Sequence, residues 1–149
     1  MINNKKFHNV GIIGVGGYVP SLRIKVGEIA ETYGKSGEQV AVSLGIKQKA
    51  VAGRDEDAVS LAVEASRIAF QRTKIKPENI GAILMGSESH PYAVKPSGSI
   101  VGEILGAGEN YFTVDLEFAC KAGTSAMILI SSLIEAGLIG EEFSLFAIC

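Results

Sequence analysis

Short apolar runs alternate along this sequence with stretches of helical periodicity, and that alternation constrains the fold more than any other feature. Residues Ile80 to Met85 are apolar throughout and show no alternation of polar and apolar side chains. Such a run is typical of a strand that is covered on both faces of its sheet. Strands that alternate with helices predict a layered α/β fold with a largely parallel sheet.

The periodicity also predicts where the individual elements lie. We expect strands at 10–15, 46–51, 80–85, 111–116 and 143–149, and helices at 26–33, 38–44, 58–72, 97–105 and 121–136. The first of these strands, Val10 to Val15, is predicted to be buried. The helix at 58–72 is predicted to bury a stripe formed by Leu61, Ala65, Ile68 and Ala69.

The chain of 149 residues has the length of one domain, which we place at 1–149. The helix at 121–136 is apolar on nearly all sides and is therefore expected to be buried all round. Burying it requires layers on more than one of its sides. The sequence also ends within an apolar strand at Cys149. Both features predict that this domain is part of a larger fold and that the chain alone is inactive.

Charge and hydropathy exclude several classes of function. The net charge is −2 and like charges form no block, so nothing predicts binding to nucleic acid or to an anionic membrane. No run approaches the roughly 18 apolar residues of a membrane span. The first residues lack the apolar segment of a signal peptide. We therefore expect a cytoplasmic protein in which Cys120 and Cys149 are free thiols.

Cys120 is the first candidate for chemistry. It stands in Asp115-Leu-Glu-Phe-Ala-Cys120-Lys-Ala-Gly-Thr124, between a predicted strand and a predicted helix. A helix N-terminus favours a thiolate through its dipole and its free N–H groups. The same N–H groups can stabilise the oxyanion that forms when a thioester is attacked. The alternative is an inert cysteine buried in a strand–helix turn, and the residues alone leave both interpretations open.

Glu88 is the second candidate, in the segment Gly86-Ser-Glu88-Ser-His90-Pro91 that follows a buried strand. Sites in α/β folds form at the carboxyl ends of the strands, where a partly enclosed carboxyl group can act as general acid or base. The alternative is a solvated loop glutamate. For His90 we favour a structural role, because a residue that precedes proline is held in an extended conformation.

Two further motifs are interpreted structurally. The glycine-rich segment from Gly11 to Gly17 lacks the third glycine of a dinucleotide fingerprint, since Val19 stands there, and Pro20 extends the loop. The acidic run from Asp55 to Asp57 is predicted to begin a helix and not to bind metal. The sequence has no Walker lysine pattern, no Cys/His metal spacing and no Gly-x-Ser-x-Gly elbow.

The segments around Glu88 and Cys120 resemble archaeal-type hydroxymethylglutaryl-CoA synthases, which are condensing enzymes of the thiolase fold. The Gly14-Val-Gly-Gly-Tyr-Val-Pro20 and Asp55-Glu-Asp57 segments share this resemblance, which runs from Val10 to Cys149. It implies a layered α/β/α fold with a mostly parallel mixed sheet and a buried helix that bears the nucleophile. The family is more than twice as long, and its second half supplies a catalytic histidine.

The resemblance implies condensation of acetyl-CoA with acetoacetyl-CoA and water to 3-hydroxy-3-methylglutaryl-CoA, in the mevalonate pathway to isoprenoids. Cys120 would carry the acetyl group as a thioester, and Glu88 would be the general acid/base. Ser36 and Gly37 match a family segment that contacts the acyl-CoA, although relatives tend to have an acidic residue at the position of Ser36. No cofactor and no metal are implied.

The resemblance also implies partners, namely a homodimer and a complex with acetoacetyl-CoA thiolase and a bridging protein of the OB-fold. Two alternatives stay open. A ketoacyl synthase of the same fold would share Cys120 but would use a His/Asn pair in place of Glu88. A non-catalytic partner subunit of a thiolase complex would have a Cys120 that does not react with acetyl-CoA.

Overall fold

The computed structural model describes residues 6–8, 10–139 and 143–148, the last of these for the backbone only. The chain divides into two compact units. The small unit runs from Val19 to Glu56, and the core unit combines the described residues up to Tyr18 with those from Asp57 onward.

The small unit pairs two short strands and packs two helices together. Its elements are β1 (Leu22–Lys25), α1 (Val26–Thr32), α2 (Gly37–Leu44) and β2 (Gln48–Val51). The strands are antiparallel, with Leu22 opposite Val51. The helices predicted at 26–33 and 38–44 and the strand predicted at 46–51 are thereby confirmed.

The core unit alternates helices and strands, as the sequence predicts. Its elements are α3 (Ala58–Thr73), a 3₁₀ turn (Pro77–Asn79), β3 (Ile80–Gly86), α4 (Ser97–Leu105), β4 (Phe112–Leu116), a 3₁₀ turn (Ala119–Lys121), α5 (Ala122–Glu135) and β5 (Phe143–Ile148). The last residue of the predicted final strand, Cys149, lies outside the described residues.

A parallel sheet with strand order β4-β3-β5 forms the centre of the core unit. Met85 of β3 lies opposite Asp115 of β4 and Ala147 of β5. Because alternate residues of a strand point to opposite faces, β3 contributes to two apolar layers. Ile83 and Leu84 are both 0% exposed, which confirms the prediction of a strand covered on both sides.

Helices cover both faces of this sheet. On one face, Ile83 and Met85 pack with apolar residues of α3 and with Val101 of α4. On the other face, Ala82 and Leu84 pack with Ala126 and Ile130 of α5. The same layer includes the apolar side chains of Val114, Leu116, Leu129, Leu133, Ile134 and Ile139. The predicted layered α/β/α arrangement is therefore present in the core unit.

Helix α3 begins where the acidic run predicts, but its most buried face differs from the predicted one. The Asp57 carboxylate accepts a hydrogen bond from Ser60 N–H, and Ser60 Oγ accepts one from Asp57 N–H, so the pair forms a capping box. The most buried residues of α3 are Ala58, Val59, Ala62, Val63 and Ser66, whereas the predicted stripe is only half-buried.

The predicted stripe of α3 faces the backbone of the N-terminal segment instead of the sheet. A methyl group at Gly16 would lie 2.6 Å from the backbone nitrogen of Ala69 and would overlap the carbonyl of Ala65. Gly16 on the segment and Ala65 and Ala69 on α3 are small enough to permit this approach. Helix α3 therefore buries one face fully against the core and a second face only partly against the segment. Periodicity alone does not distinguish them.

The predicted buried strand at Val10 to Val15 is wrong, because the structure has no strand there. Ile12, Ile13 and Val15 are largely exposed. The segment lies along α3 instead, where Arg72 Nη1 donates a hydrogen bond of 2.9 Å to the carbonyl of Val15.

The predicted burial of α5 on all sides requires layers on more than one side of the helix, and the described residues cover one face only. Ala122, Gly123, Ala126 and Ile130 are buried, but Ile128 on another side of the helix is 49% exposed. One face of α5 packs on the sheet, and that single contact buries only the residues turned toward it.

No helix in the described part of the chain is long and apolar enough to cross a membrane.

Candidate active site

Cys120 lies in the 3₁₀ turn that joins β4 to α5, and its free thiol is exposed. The burial of this cysteine that was considered from the sequence is therefore contradicted, while its reactivity stays a prediction. Lys121 N–H donates to the carbonyl of Phe118, and Ala122 N–H donates to that of Ala119. Residue Ala119 adopts a φ of 42°, a conformation that is uncommon for residues other than glycine.

The start of α5 approaches β3 closely at Gly86. A methyl group there would lie 2.9 Å from Ala122 Cβ and 3.0 Å from the backbone nitrogen of Gly123. Any side chain at this position would therefore push the helix away from the end of the strand. The missing side chain brings the carboxyl end of β3, and the loop that follows it, next to the turn of Cys120.

Glu88 lies in this loop, and the structure joins it to the turn of the cysteine. The N–H of Ala119 donates a hydrogen bond to Glu88 Oε1. Glu88 is exposed, so its second oxygen is open to a reactant. The two residues predicted to be catalytic are thus held together, with the carboxylate bonded to the residue immediately before the thiol.

The backbone on the N-terminal side of Glu88 is anchored to the sheet. Ser87 N–H donates to the carbonyl of Leu116 at 3.1 Å, which continues the pairing of β3 with β4. Ser87 is 3% exposed, and its hydroxyl accepts a 3.0 Å hydrogen bond from Ser89 N–H. The loop therefore leaves the sheet from a fixed position.

The loop is also held on the C-terminal side, through His90. Its Nδ1 lies 2.9 Å from Ser97 Oγ and 3.4 Å from Asp115 Oδ2. Asp115 in turn accepts hydrogen bonds from Ser97 N–H at 2.6 Å and from Gly98 N–H at 3.1 Å. The structural role favoured for His90 is confirmed by these contacts.

Asp115 and Ser97 were not predicted as site residues from the sequence. One signal for them was available. Pro96, at the N-cap of α4, has no side-chain acceptor for the free N–H groups of the helix. A helix that begins this way in a buried position requires an acceptor from elsewhere in the chain, and Asp115 supplies it.

Ser36 and Gly37, the other predicted site residues, belong to the small unit and have structural roles there. Ser36 is the N-cap of α2, and its hydroxyl accepts a hydrogen bond from Gln39 N–H at 3.4 Å. Gly37 is buried, and a methyl group on it would lie 2.7 Å from Gly27 Cα, so it permits the close contact of α1 and α2. Their predicted contact with acyl-CoA stays a prediction.

Two other groups complete the electrostatic description. Burial and, to a smaller extent, the Glu103 carboxylate raise the pKa of Tyr111 above its usual value. Tyr111 Oη lies against α4, at 3.4 Å from the carbonyl of Ser99, to which it donates.

Among the residues that the structure describes, no three His, Cys, Asp or Glu side chains are placed to share a metal ion.

Comparison with known proteins identifies the family. A sequence profile described as the N-terminal part of hydroxymethylglutaryl-coenzyme A synthase matches residues 6–146. The chain belongs to the hydroxymethylglutaryl-CoA synthase family. The matched range includes both Glu88 and Cys120, and it favours this family over the ketoacyl synthase alternative.

Hydroxymethylglutaryl-CoA synthases of archaea are similar in sequence over most of the chain. The protein of Archaeoglobus fulgidus is 54% identical over 130 residues, which cover 87% of this chain and 38% of that protein. The protein of Methanocaldococcus jannaschii is 50% identical over 129 residues, which cover 87% and 37%. The chain thus spans well under half the length of these hydroxymethylglutaryl-CoA synthases.

Solved structures confirm the predicted thiolase-like fold. MvaS in complex with 3-hydroxy-3-methylglutaryl coenzyme A superposes with a TM-score of 0.82 at 26% identity, over 91% of this chain and 32% of that one. OleA of Xanthomonas campestris with bound lauric acid and lauroyl-CoA gives 0.81 at 28% identity, over 90% and 42%. A 3-oxoacyl-(acyl-carrier-protein) synthase III, at 21% identity and a TM-score of 0.78, shares the fold.

Proposed function

We propose that this chain carries the acetyl group in hydroxymethylglutaryl-CoA synthesis, in which acetyl-CoA, acetoacetyl-CoA and water give 3-hydroxy-3-methylglutaryl-CoA and CoA. The hydrogen bond from Ala119 N–H to Glu88 carries the proposal, because it joins a carboxylate to the turn of an exposed thiol. Membership of the synthase family and the likeness to MvaS with its bound product support it.

In the first step, the sulfur of Cys120 attacks the carbonyl carbon of acetyl-CoA, and CoA leaves as its thiol. Exposure of Cys120 lets the thioester reach it. The N–H groups of Ala119, Lys121 and Ala122 are already engaged in hydrogen bonds. Stabilisation of the oxyanion is therefore assigned to the N–H of Cys120 itself, with a second donor from outside this turn.

In the second step, Glu88 removes a proton from the methyl group of the acetyl-cysteine, and the resulting enolate attacks the ketone carbon of acetoacetyl-CoA. Glu88, protonated by that transfer, then acts as the general acid and returns a proton to the new alkoxide, which restores its carboxylate. Water then cleaves the thioester, which releases the product and restores the thiol of Cys120. The carboxylate suits the base role because one oxygen is fixed by Ala119 N–H while the exposed side chain remains accessible.

The remaining roles follow from the family resemblance. Ser36 and Gly37 are proposed to contact the acyl-CoA, and the acetoacetyl-CoA side is proposed to use a histidine from the part of the family that this chain does not match. We also propose a homodimer, an assembly with acetoacetyl-CoA thiolase and an OB-fold protein, and a place in the mevalonate pathway in the cytoplasm. The archaeal relatives support an archaeal-type enzyme.

The direct test is intact-mass spectrometry of the purified chain after incubation with acetyl-CoA. We expect an acetyl adduct, about 42 Da, that forms on the nucleophilic thiol and is absent from Cys120→Ser. Glu88→Gln is the second arm, because it should keep the adduct while losing the exchange of the acetyl methyl protons for deuterons in D₂O. A folded chain that forms no adduct contradicts acetyl transfer and favours the non-catalytic partner subunit.

A further inference from the structure

We infer that His90, held by Asp115 and Ser97, is a positioning residue that fixes the carboxylate of Glu88 beside Cys120. This inference rests on the proposed role of Glu88 as the general acid/base. The side chains of His90, Ser97 and Asp115 are connected to one another and determine where that carboxylate lies. None of them touches the reacting atoms.

Glu88 is exposed, as is Ser89 after it, but the loop has buried side chains at Ser87, directly before Glu88, and at His90, two positions after it. Ser87 is 3% exposed, and the side chain of His90 is 4% exposed. Two residues of extended chain span at most about 7 Å, so fixing His90 restricts where the backbone of Glu88 can lie. The loop is therefore held at two points, and the carboxylate projects from between them.

Asp115 fixes the second of these points to a rigid element. Its Oδ1 accepts from Gly98 N–H, while its Oδ2 accepts from Ser97 N–H and lies 3.4 Å from His90 Nδ1. Hydrogen bonds to a charged carboxylate are among the stronger ones in proteins. His90 is thus tied to the first turn of α4 and to the end of β4 at once.

The Nε2 atom of His90 indicates that this side chain has a role beyond packing. His90 Nε2 is buried and has no hydrogen-bond partner among the described residues. A buried polar atom without a partner destabilises a fold by about 1–3 kcal/mol, and an apolar side chain of similar size would avoid that penalty. What the histidine adds is the contact of its Nδ1, which sets the position of the loop.

The amide of Ala119 reports directly on Glu88, because its N–H donates to the carboxylate. We would measure its ¹H chemical shift in ¹⁵N-labelled chain for the wild type, Glu88→Gln, His90→Leu and His90→Asn. Asparagine can place a polar atom near the position of Nδ1, whereas leucine cannot. The amide should move upfield in Glu88→Gln and His90→Leu, and should stay near its wild-type position in His90→Asn.

Two outcomes decide the inference without any measurement of activity. An Ala119 amide that stays in place in a folded His90→Leu overturns it. If His90→Leu does not fold, Ser97→Ala replaces it, since that change removes only the hydroxyl beside Nδ1. A shift in the same direction as in Glu88→Gln supports the inference, and an unchanged amide in Ser97→Ala overturns it.

A second readout connects the contact to the proposed chemistry. In D₂O, the base should exchange the methyl protons of the acetyl-cysteine for deuterons, which intact mass detects. We expect His90→Leu to slow this exchange at least tenfold with unchanged acetylation of Cys120, and His90→Asn to stay within threefold of wild type. Equal slowing of acetylation and exchange would indicate a merely structural role and overturn the inference. A wild type without acetylation would contradict the proposed function, while the Ala119 shift would still decide the positioning role.

Discussion

Two carboxylates at the carboxyl ends of β3 and β4 cross over to the neighbouring connection. The start of α4, which follows β3, is bonded to a carboxylate of β4, and the turn before α5, which follows β4, is bonded to a carboxylate from the loop after β3. Asp115, at the end of β4, accepts the first N–H groups of α4. Glu88, in the loop after β3, accepts the N–H of Ala119 in the turn before α5. The first carboxylate is mostly buried, and the second belongs to an exposed residue.

Exposure, and not the type of interaction, distinguishes the two carboxylates. Both accept hydrogen bonds from backbone N–H groups, Asp115 at the start of α4 and Glu88 in the turn that precedes α5. Asp115 has contacts on both oxygens and serves the fold. Glu88 and the thiol of Cys120 meet solvent, so the same kind of contact leaves them open to a substrate.

The largest effect should come from removing the buried carboxylate. Asp115→Ala deprives Ser97 N–H and Gly98 N–H of their acceptor and His90 of its partner. Losing two charge-assisted hydrogen bonds in a buried place should lower the free energy of unfolding by about 3 kcal/mol. Urea denaturation measures it, with Asp115→Asn as the milder change. Equal stability of Asp115→Ala and wild type would contradict the structural role of this carboxylate.

The second effect concerns the close contact between Gly86, at the end of β3, and the start of α5. Gly86→Ala places a methyl group 2.9 Å from Ala122 Cβ, and such overpacking should destabilise the fold by about 1–3 kcal/mol. It should also change the rate at which iodoacetamide alkylates Cys120. Gly17→Ala is the matched control, because a methyl group there meets no atom within 4 Å. Similar behaviour of the two variants would show that α5 adjusts freely.

A pH titration of stability tests the packing around α4, because the partly buried phenol of Tyr111 lies against this helix. Since burial and Glu103 raise the pKa of Tyr111, the folded state favours the neutral phenol. Its contribution to stability is full below the unfolded pKa of about 10 and is lost as pH rises through the folded value. Stability in alkaline solution should therefore fall less steeply in Tyr111→Phe than in wild type. Identical slopes would contradict the assignment.

The smallest effect is expected at the exposed carboxylate. Glu88→Gln is the same chemical change as Asp115→Asn, but it should alter the free energy of unfolding by no more than about 0.5 kcal/mol, as is usual for surface substitutions. The two variants measured side by side in urea test the comparison directly. A loss at Glu88 as large as that at Asp115 would show that both carboxylates serve the fold.

Local patterns were sufficient to predict most elements and to mark Glu88 and Cys120 as candidates, whereas the catalytic roles of these residues came from the family resemblance. The helix predicted at 97–105 has the bounds of α4, and the strand predicted at 80–85 extends by one residue to Gly86. Glu88 and Cys120 follow strands in sequence, and parallel strands end at the same edge of a sheet. Their proximity was therefore foreseeable, although the bond through Ala119 was not.

The failures share a physical cause, which is that they depend on partners distant in sequence. Val10 to Val15 has the composition of a strand, but its end at Val15 is hydrogen-bonded to Arg72 of α3. The contact of Asp115 with Ser97 spans 18 positions of sequence, and no local pattern encodes it. Helix α5 has apolar residues on several sides, and periodicity does not say which of them meet the sheet.

The exchange of carboxylates between neighbouring connections limits how this part of the molecule can be rebuilt. A graft of residues 86–98 from another protein would bring a new partner for the turn at Ala119 and would leave Asp115 facing a foreign helix start. A graft of 115–121 alone would cause the converse mismatch. Chimaeras with other condensing enzymes should therefore transfer the two connections as a pair, because each one contains the acceptor that the other requires.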